Sequence, residues 1–199
     1  MIKKLSALSL ILITLALVGC KDSRRIENAA VIENVSVDRG GEGILYTFYL
    51  LGSGDKPRAV SVPAASFEEA CALAEEAYIP NLSLAKLELL MLSEDVYREV
   101  MRTDVEYIST QSSFSPIAYV TLCDRETIRS VEKDSEVQRL IERQLVLLKK
   151  NNPSVCVDYL SIFNNLERKG EEGFDVAQIS SKKELKVSEM HIYSKNIPK

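Results

Sequence analysis

The chain has 199 residues, with 25 lysines and arginines against 29 aspartates and glutamates, a single histidine and a formal net charge of −4. Hydrophobic residues make up 46% and charged residues 27%, a composition that excludes an intrinsically disordered chain. The mild acidity lacks the clustered basic charge that nucleic-acid binding requires, so no nucleic acid is expected as a partner.

The first predicted element is a secretory leader over residues 1–19. Lys3 and Lys4 supply a basic start, and residues 5–18 form an apolar stretch without a charged side chain. A helix of that length, at ~1.5 Å per residue, is shorter than the ~30 Å hydrocarbon core of a bilayer. A permanent membrane span is therefore not expected.

The leader ends in Leu17-Val18-Gly19-Cys20, where a small residue precedes a cysteine. This ending is similar to the lipobox of bacterial lipoproteins. The similarity implies a diacylglyceryl thioether on Cys20, cleavage before Cys20 and, often, acylation of the new amino group. Such chains, each contributing ~0.8 kcal/mol per buried methylene, would hold the protein on a membrane. Two alternatives stay open: an ordinary signal peptide with an incidental cysteine, and a short signal anchor.

Cleavage would leave a mature chain with 23 basic and 29 acidic side chains, because Lys3 and Lys4 are removed and no acid precedes Cys20. A net charge of −6 gives the domain as a whole no attraction to anionic headgroups, so the lipid is expected to be the membrane anchor. The predicted organisation is a lipoprotein signal peptide over residues 1–19, a lipidated cysteine and tether over residues 20–28, and one domain over residues 29–199.

The first half of this domain is predicted to combine a hairpin, two helices and two buried strands. Glycine-rich residues 38–43 separate two β-rich runs, which indicates a hairpin over residues 29–51. Ser66 and Glu69 have the spacing of a capping box that opens a helix ending near Tyr78. The further predictions are strands over 87–92 and 117–123, and between them a helix over 94–108 with Val96, Val100 and Val105 facing inward.

The second half is predicted to contain two helices and then two strands. Ser135 opens the first helix, and Asn152-Pro153 opens the second, since proline is tolerated at a first helical position. The inward stripe of the first helix is Val137, Leu140, Ile141, Leu145 and Leu148, and that of the second is Val155, Tyr159, Ile162, Phe163 and Leu166. Strands are expected over 173–180 and 184–193. This order of elements predicts an α/β fold with a mixed β-sheet and helices packed on both faces.

The sequence carries no motif that nominates an active site. It has no phosphate-binding loop, no His-Glu-x-x-His, no Gly-x-Ser-x-Gly and no Cys-x-x-Cys. The lone His191 is expected on a strand edge rather than in a metal site. Adjacent acids are expected on solvated faces, because neighbours on a helix point in different directions; they are Glu68/Glu69, Glu75/Glu76 and Glu171/Glu172. We therefore predict no enzyme activity, no cofactor and no metal.

The mature body holds three cysteines, Cys71, Cys123 and Cys156, too few for a disulfide scaffold. Three is an odd number, so at least one thiol stays unpaired unless it bridges to another chain. Buried, inert thiols are the expectation, because free cysteine packs as a small hydrophobic residue. Only Cys123, which precedes Asp124-Arg125, has charged neighbours of the kind that a reactive cysteine requires.

Several segments of the chain share the order of features found in one known family. Near the leader the matches are Cys20, Asp22, Arg24, Ile26 and Ala30, and further matches are residues 35–38, 65–70, 84–99 and 117–120. In this order the chain resembles the first domain of the GerAC family, the lipoprotein C subunits of spore germinant receptors. It departs from the family pattern at Lys21, Arg25 and Ala85-Lys86.

The resemblance carries over one functional residue, Cys20, as the lipidation site. It implies a non-enzymatic lipoprotein on the extracytoplasmic face of the inner spore membrane. There the family works with two integral-membrane germinant receptor subunits, of the A and B types, in nutrient-triggered germination. Two alternatives from other classes stay open: an orphan extracytoplasmic lipoprotein that binds a small ligand, and a lipid-anchored enzyme.

Overall fold

The computed structural model describes residues 29–41, 43–52, 58–111, 114–168, 173–181, 184–193 and 196–197. Within these residues, eight strands form one mixed sheet and five helices cover both of its faces. The predicted α/β class is confirmed. The signal peptide and the tether lie outside the described residues.

The elements follow one another in the order β1–β2–β3–α1–β4–β5–α2–β6–α3–α4–α5–β7–β8. The strands are β1 (Ala30–Gly40), β2 (Gly43–Leu50), β3 (Arg58–Pro63), β4 (Leu82–Ser83), β5 (Leu89–Ser93), β6 (Tyr119–Cys123), β7 (Gly173–Ser181) and β8 (Leu185–Tyr193). The helices are α1 (Phe67–Ala77), α2 (Tyr97–Thr110), α3 (Arg125–Val131), α4 (Ser135–Asn151) and α5 (Tyr159–Glu167).

The sheet has a parallel centre and antiparallel flanks. Its spatial order is β3-β2-β1-β5-β6-β7-β8, with the short β4 paired to the start of β1. Strands β1, β5, β6 and β7 are parallel neighbours, whereas β2, β3 and β8 run antiparallel to the strands beside them. All five residues of β5 are buried, as the unbroken apolar run predicts for a strand covered on both faces. We call the edge where the parallel strands begin the amino edge, and the opposite one the carboxyl edge.

Two hydrophobic clusters lie on opposite faces of the sheet. Helices α1, α2 and α5 cover the first face, where Phe67, Val100 and Ile162 are completely buried or nearly so. Helices α3 and α4 cover the second face with Ile141 and Leu145 at its centre. The valines at 96, 100 and 105 are buried as predicted.

The chain passes from the second face to the first through a gap in the sheet. Strands β6 and β7 pair only near their carboxyl ends, and residues 156–159 fill the space between their amino-terminal halves. There the Val120 N–H donates to the Val157 carbonyl (3.0 Å) and the Ala177 N–H donates to the Cys156 carbonyl (3.2 Å). These bonds satisfy the backbone at the crossing and direct the chain into α5.

The start of α1 is held by a cap and by a buried carboxylate. The Ser66 hydroxyl accepts from the Glu69 N–H at 3.2 Å, and the Glu69 carboxylate accepts from the Ala65 N–H at 2.7 Å, so the predicted capping interaction is present. Asp104 on α2 is fully buried and accepts hydrogen bonds from the Phe67 N–H (3.0 Å) and the Tyr46 hydroxyl (3.0 Å). Burial raises the pKa of Asp104 to about 7, against the opposing effect of these bonds.

Three short elements and two helix starts differ from the sequence prediction. The edge strand β3, the two-residue strand β4 and the short helix α3 are not among the predicted elements. The cap of α4 is Asp134, whose carboxylate accepts from the Glu136 N–H at 2.9 Å, rather than Ser135. The last helix does not begin at Asn152-Pro153: Asp158 caps it, because the preceding residues are used in the sheet crossing.

Two side chains predicted to face inward are exposed instead. Ile117 precedes β6 and is 77% exposed, because the strand begins only at Tyr119. Leu140 on α4 is 42% exposed, because Gln138, Ile141 and Leu145 form the buried stripe of that helix. Helix α4 therefore has more apolar residues than the sheet buries.

Candidate functional site

The predicted lipidation site, Cys20, lies outside the described residues. The first described strand begins at Ala30, ten positions further along the chain. Ten residues span at most about 35 Å when fully extended, which limits the distance from the Cys20 sulfur to the start of β1. The start of β1 is fixed at the amino edge, where the Ala30 N–H donates to the Asn81 carbonyl and the Leu51 N–H donates to the Val31 carbonyl.

A cavity of about 370 Å³ lies at the same edge. It is lined by the loops that lead into β5 and β6, including Lys86, Glu88 and Ala118, and by Glu142 of α4. Its volume falls at the low end of the range for small-molecule sites, about 300–1,000 Å³. We call it the amino-edge cavity.

Three carboxylates crowd this corner of the molecule. The pKa of Glu142 is raised to about 7, chiefly by burial and then by the nearby Glu88 and Glu33, while Arg139 opposes the rise. The pKa of Glu33 is also raised, chiefly by burial and then by Glu88. Lys86 and Arg139 offset part of this charge, and the balance of three carboxylates against two cations suits a cationic group such as a protonated amine.

The carboxyl edge, where open α/β sheets usually bind ligands, is instead crossed by ion pairs. The Arg125 guanidinium at the start of α3 pairs with Asp38 near the end of β1 (3.2 Å) and with Asp95 after β5 (3.1 Å). Arg39 pairs with Glu99 on α2. Two arginines thus meet three carboxylates, so the ion pairs fasten the loops of this edge together and leave one acidic charge in excess.

The three described cysteines are buried, free thiols, which confirms the expectation of packing residues. Burial raises the pKa of Cys71 to about 12, and it also raises the pKa values of Cys123 and Cys156. Cys123 is completely inaccessible despite its charged neighbours. Since the thiolate is the nucleophile, these sulfurs are poorly placed for chemistry.

His191 lies on the edge strand β8, as predicted, and its Nδ1 is 2.7 Å from an Asp175 carboxylate oxygen. Among the adjacent acids, Glu69 is used in the cap of α1, and Glu171/Glu172 lie outside the described residues. No group of three His, Cys, Asp or Glu side chains that could hold a metal ion is found in the described part of the chain.

Comparison with known proteins finds no matching family, no similar curated protein and no similar solved structure. Among the helices that the structure describes, none has the length and apolarity of a membrane span. The functional argument therefore rests on the chain's own residues. The amino-edge cavity, which depends on loops brought together by the sheet, had no signal in the sequence.

Proposed function

We propose that this chain is a membrane-anchored lipoprotein that acts non-enzymatically with the integral-membrane subunits of a spore germinant receptor in nutrient-triggered germination. The observation that carries the proposal is the lipobox-like ending at Cys20, followed within ten residues by the first strand of a folded α/β domain. The resemblance to the GerAC family supplies the partners, the A and B type subunits, and the location on the extracytoplasmic face of the inner spore membrane.

Lipidation gives such a domain a physical role without requiring a catalytic group. Attachment confines it to the membrane beside its partners, and this confinement raises the effective concentration of each for the other. A receptor with two conformations is then biased by any contact that the domain makes better with one conformation than with the other. The ion-paired carboxyl edge and the buried thiols are consistent with this non-catalytic role.

The Cys20→Ser variant is expected to lose its membrane attachment, because the serine hydroxyl cannot form the thioether. Wild-type protein should be recovered in the membrane fraction and carry the added mass of acyl chains at residue 20, whereas the variant should carry none. Cys156→Ser, a matched change at a buried cysteine, should remain acylated. Acylation that persists in Cys20→Ser would contradict the anchor.

The receptor assignment needs its own measurement. In spores that lack the native chain, wild-type protein is expected to restore the response to nutrient and to co-purify with the two integral-membrane subunits. Cys20→Ser, expressed at equal abundance, is expected to do both poorly. Normal nutrient response in spores without this protein would remove the receptor role while leaving the anchor in place.

The amino-edge cavity favours a second candidate function, the binding of a small ligand by an orphan lipoprotein. Its carboxylates Glu88 and Glu142 suit an amine, so 1,4-diaminobutane is a suitable probe. If this function is correct, millimolar diamine raises the melting temperature, since a ligand that binds only the folded state stabilises it. The rise should disappear in Glu142→Gln, and an equal rise in that variant would exclude the cavity as the site.

A further inference from the structure

The outward face of α4 combines aliphatic and basic side chains. Leu140, Val146 and Leu147 are 42%, 49% and 50% exposed, although they are large hydrophobic residues. The residues exposed on this side of the helix are Glu136, Arg139, Leu140, Arg143, Val146, Leu147 and Lys150. At 100° per residue they fall within one third of the helix circumference, opposite the buried stripe. We call these seven residues the outer α4 face.

The charge of this face differs in sign from that of the chain. It holds three cations and one carboxylate, a net charge of +2, whereas the whole chain has a net charge of −4. Arg139 pairs with Glu136 at 2.5 Å, which leaves Arg143 and Lys150 as the excess. A face with exposed aliphatic residues and excess positive charge matches the surface of an anionic bilayer, where apolar side chains enter the headgroup region and cations meet phosphates.

The position of α4 brings this face close to the membrane anchor. Glu142, in the middle of α4, lines the amino-edge cavity together with Glu88. The Glu88 N–H donates to the carbonyl of Glu33 at 2.8 Å, and Glu33 lies three residues after the start of β1. The tether from Cys20 enters the domain at that start and reaches at most about 35 Å. Helix α4 therefore lies beside the point from which the domain is held.

We propose that the outer α4 face rests on the anionic lipid surface in which Cys20 is anchored. This inference rests on the lipid attachment in the proposed function and adds the orientation of the domain on the membrane. Negative net charge does not oppose it, because surface electrostatics act within about 10 Å and so depend on the local face. The first face of the sheet, with α1, α2 and α5, is then turned away from the lipid and left accessible to partner subunits.

The orientation is tested by measuring whether a spin label on the outer α4 face contacts lipid. Acylated full-length protein carrying Leu147→Cys is labelled with a thiol-reactive nitroxide and placed in vesicles with or without phosphatidylglycerol. Labelling is selective, because the three native cysteines of the domain are at most 7% exposed and acylated Cys20 has no free thiol. The control label replaces Leu160 on α5, which has the same exposed fraction, 50%, on the opposite face of the sheet.

The expected result is contact with lipid at position 147, seen as higher accessibility to dissolved oxygen and lower accessibility to a nickel chelate, in anionic vesicles only. Position 160 should stay in water. Arg143→Glu combined with Lys150→Glu should reduce the contact at least about fivefold, the effect of removing even one basic residue from an anionic surface. Arg98→Glu with Arg168→Glu, an equal change of charge on exposed positions of the first face, should have no effect. Thermal unfolding confirms that each variant is folded.

Several results would overturn the orientation. One is equal accessibility at positions 147 and 160 in anionic vesicles, and another is contact at 147 that survives the charge reversal. Protection of position 147 that appears only when integral-membrane subunits are added would show a protein interface instead. In all three cases Cys20 remains acylated, which intact-mass measurement of the same sample shows. The lipid attachment would then be retained and only the orientation would be wrong. An unmodified Cys20 would instead overturn the anchor and the orientation together.

Discussion

Phe67→Ala is expected to lower the free energy of unfolding by about 3–5 kcal/mol, the usual cost of removing a buried phenylalanine ring. Phe67 is the first residue of α1 and is completely buried. Its ring lies 5.8–6.1 Å, between centroids, from the rings of Phe48, Tyr46 and Tyr107, which come from β2 and α2. The side chain thus joins two helices to the sheet, and its loss would leave a cavity at their junction.

The loss is large compared with the total stability of a domain, about 5–15 kcal/mol. Urea unfolding at constant pH measures it as a lower midpoint with an unchanged slope. Because alanine keeps the backbone N–H that donates to Asp104, the variant tests packing rather than capping. Leu73→Ala on the same helix is the control: Leu73 is 37% exposed, and a change below about 1 kcal/mol is expected. Equal losses in the two variants would contradict the assigned core.

The fold class could be predicted because local signals in the sequence agree with the tertiary structure. The apolar run over residues 87–92 indicates a strand that is buried on both faces, and β5 is such a strand. The capping residues at 66 and 69 mark the start of α1, where the structure also places it. Turn glycines between two β-rich runs predict the β1–β2 hairpin. Its strands pair from Ile32 opposite Leu50 to Gly40 opposite Gly43.

Other elements were missed because their cause is not local. Strand β3 is flanked by proline and mostly exposed, so it forms only because β2 offers an edge. Residues 153–158 have a helical pattern of apolar positions, but the gap between β6 and β7 draws them into the sheet. The spacing of apolar residues in α4 predicts that Leu140 faces inward. Only the placement of the helix on the sheet shows that this side chain points outward.

The site shows the same division between local and long-range information. The proposed lipidation site, Cys20, can be predicted from sequence because a lipobox-like ending is a contiguous motif. The crowding of Glu33, Glu88 and Glu142 joins three distant parts of the chain, and no spacing in the sequence indicates it. The basic and aliphatic outer α4 face is likewise hidden in a chain of negative net charge. Binding at a surface depends on the charges grouped on that surface, and the net charge of the whole chain does not show such groups.

Asp104 is expected to make the domain less stable as the pH rises from about 4 to about 8. Its pKa is about 7 in the folded protein, whereas an ordinary aspartate titrates near 3.8. The folded state therefore holds this proton more tightly than the unfolded state does, so the associated stability is complete below about pH 4 and is lost as the pH rises through 7. A difference of about three pKa units corresponds to about 4 kcal/mol. Glu142, whose pKa is also about 7, acts in the same direction from a more open position.

Asp104→Asn is expected to remove most of this pH dependence, since the amide is close in shape and does not titrate in this range. The measurement is the free energy of unfolding at pH 5 and pH 8, for wild type, Asp104→Asn and Glu142→Gln. Tyr46→Phe removes a hydrogen bond that lowers the pKa of Asp104. The pKa of Asp104 should therefore be higher in this variant, and the pH-dependent fall in the free energy of unfolding should extend to higher pH. If Asp104→Asn and wild type differ equally at pH 5 and pH 8, the buried carboxylate is not the titrating group. A pH dependence removed only by Glu142→Gln would assign it to the amino-edge cavity, because that variant leaves the carboxylate beside Phe67 intact.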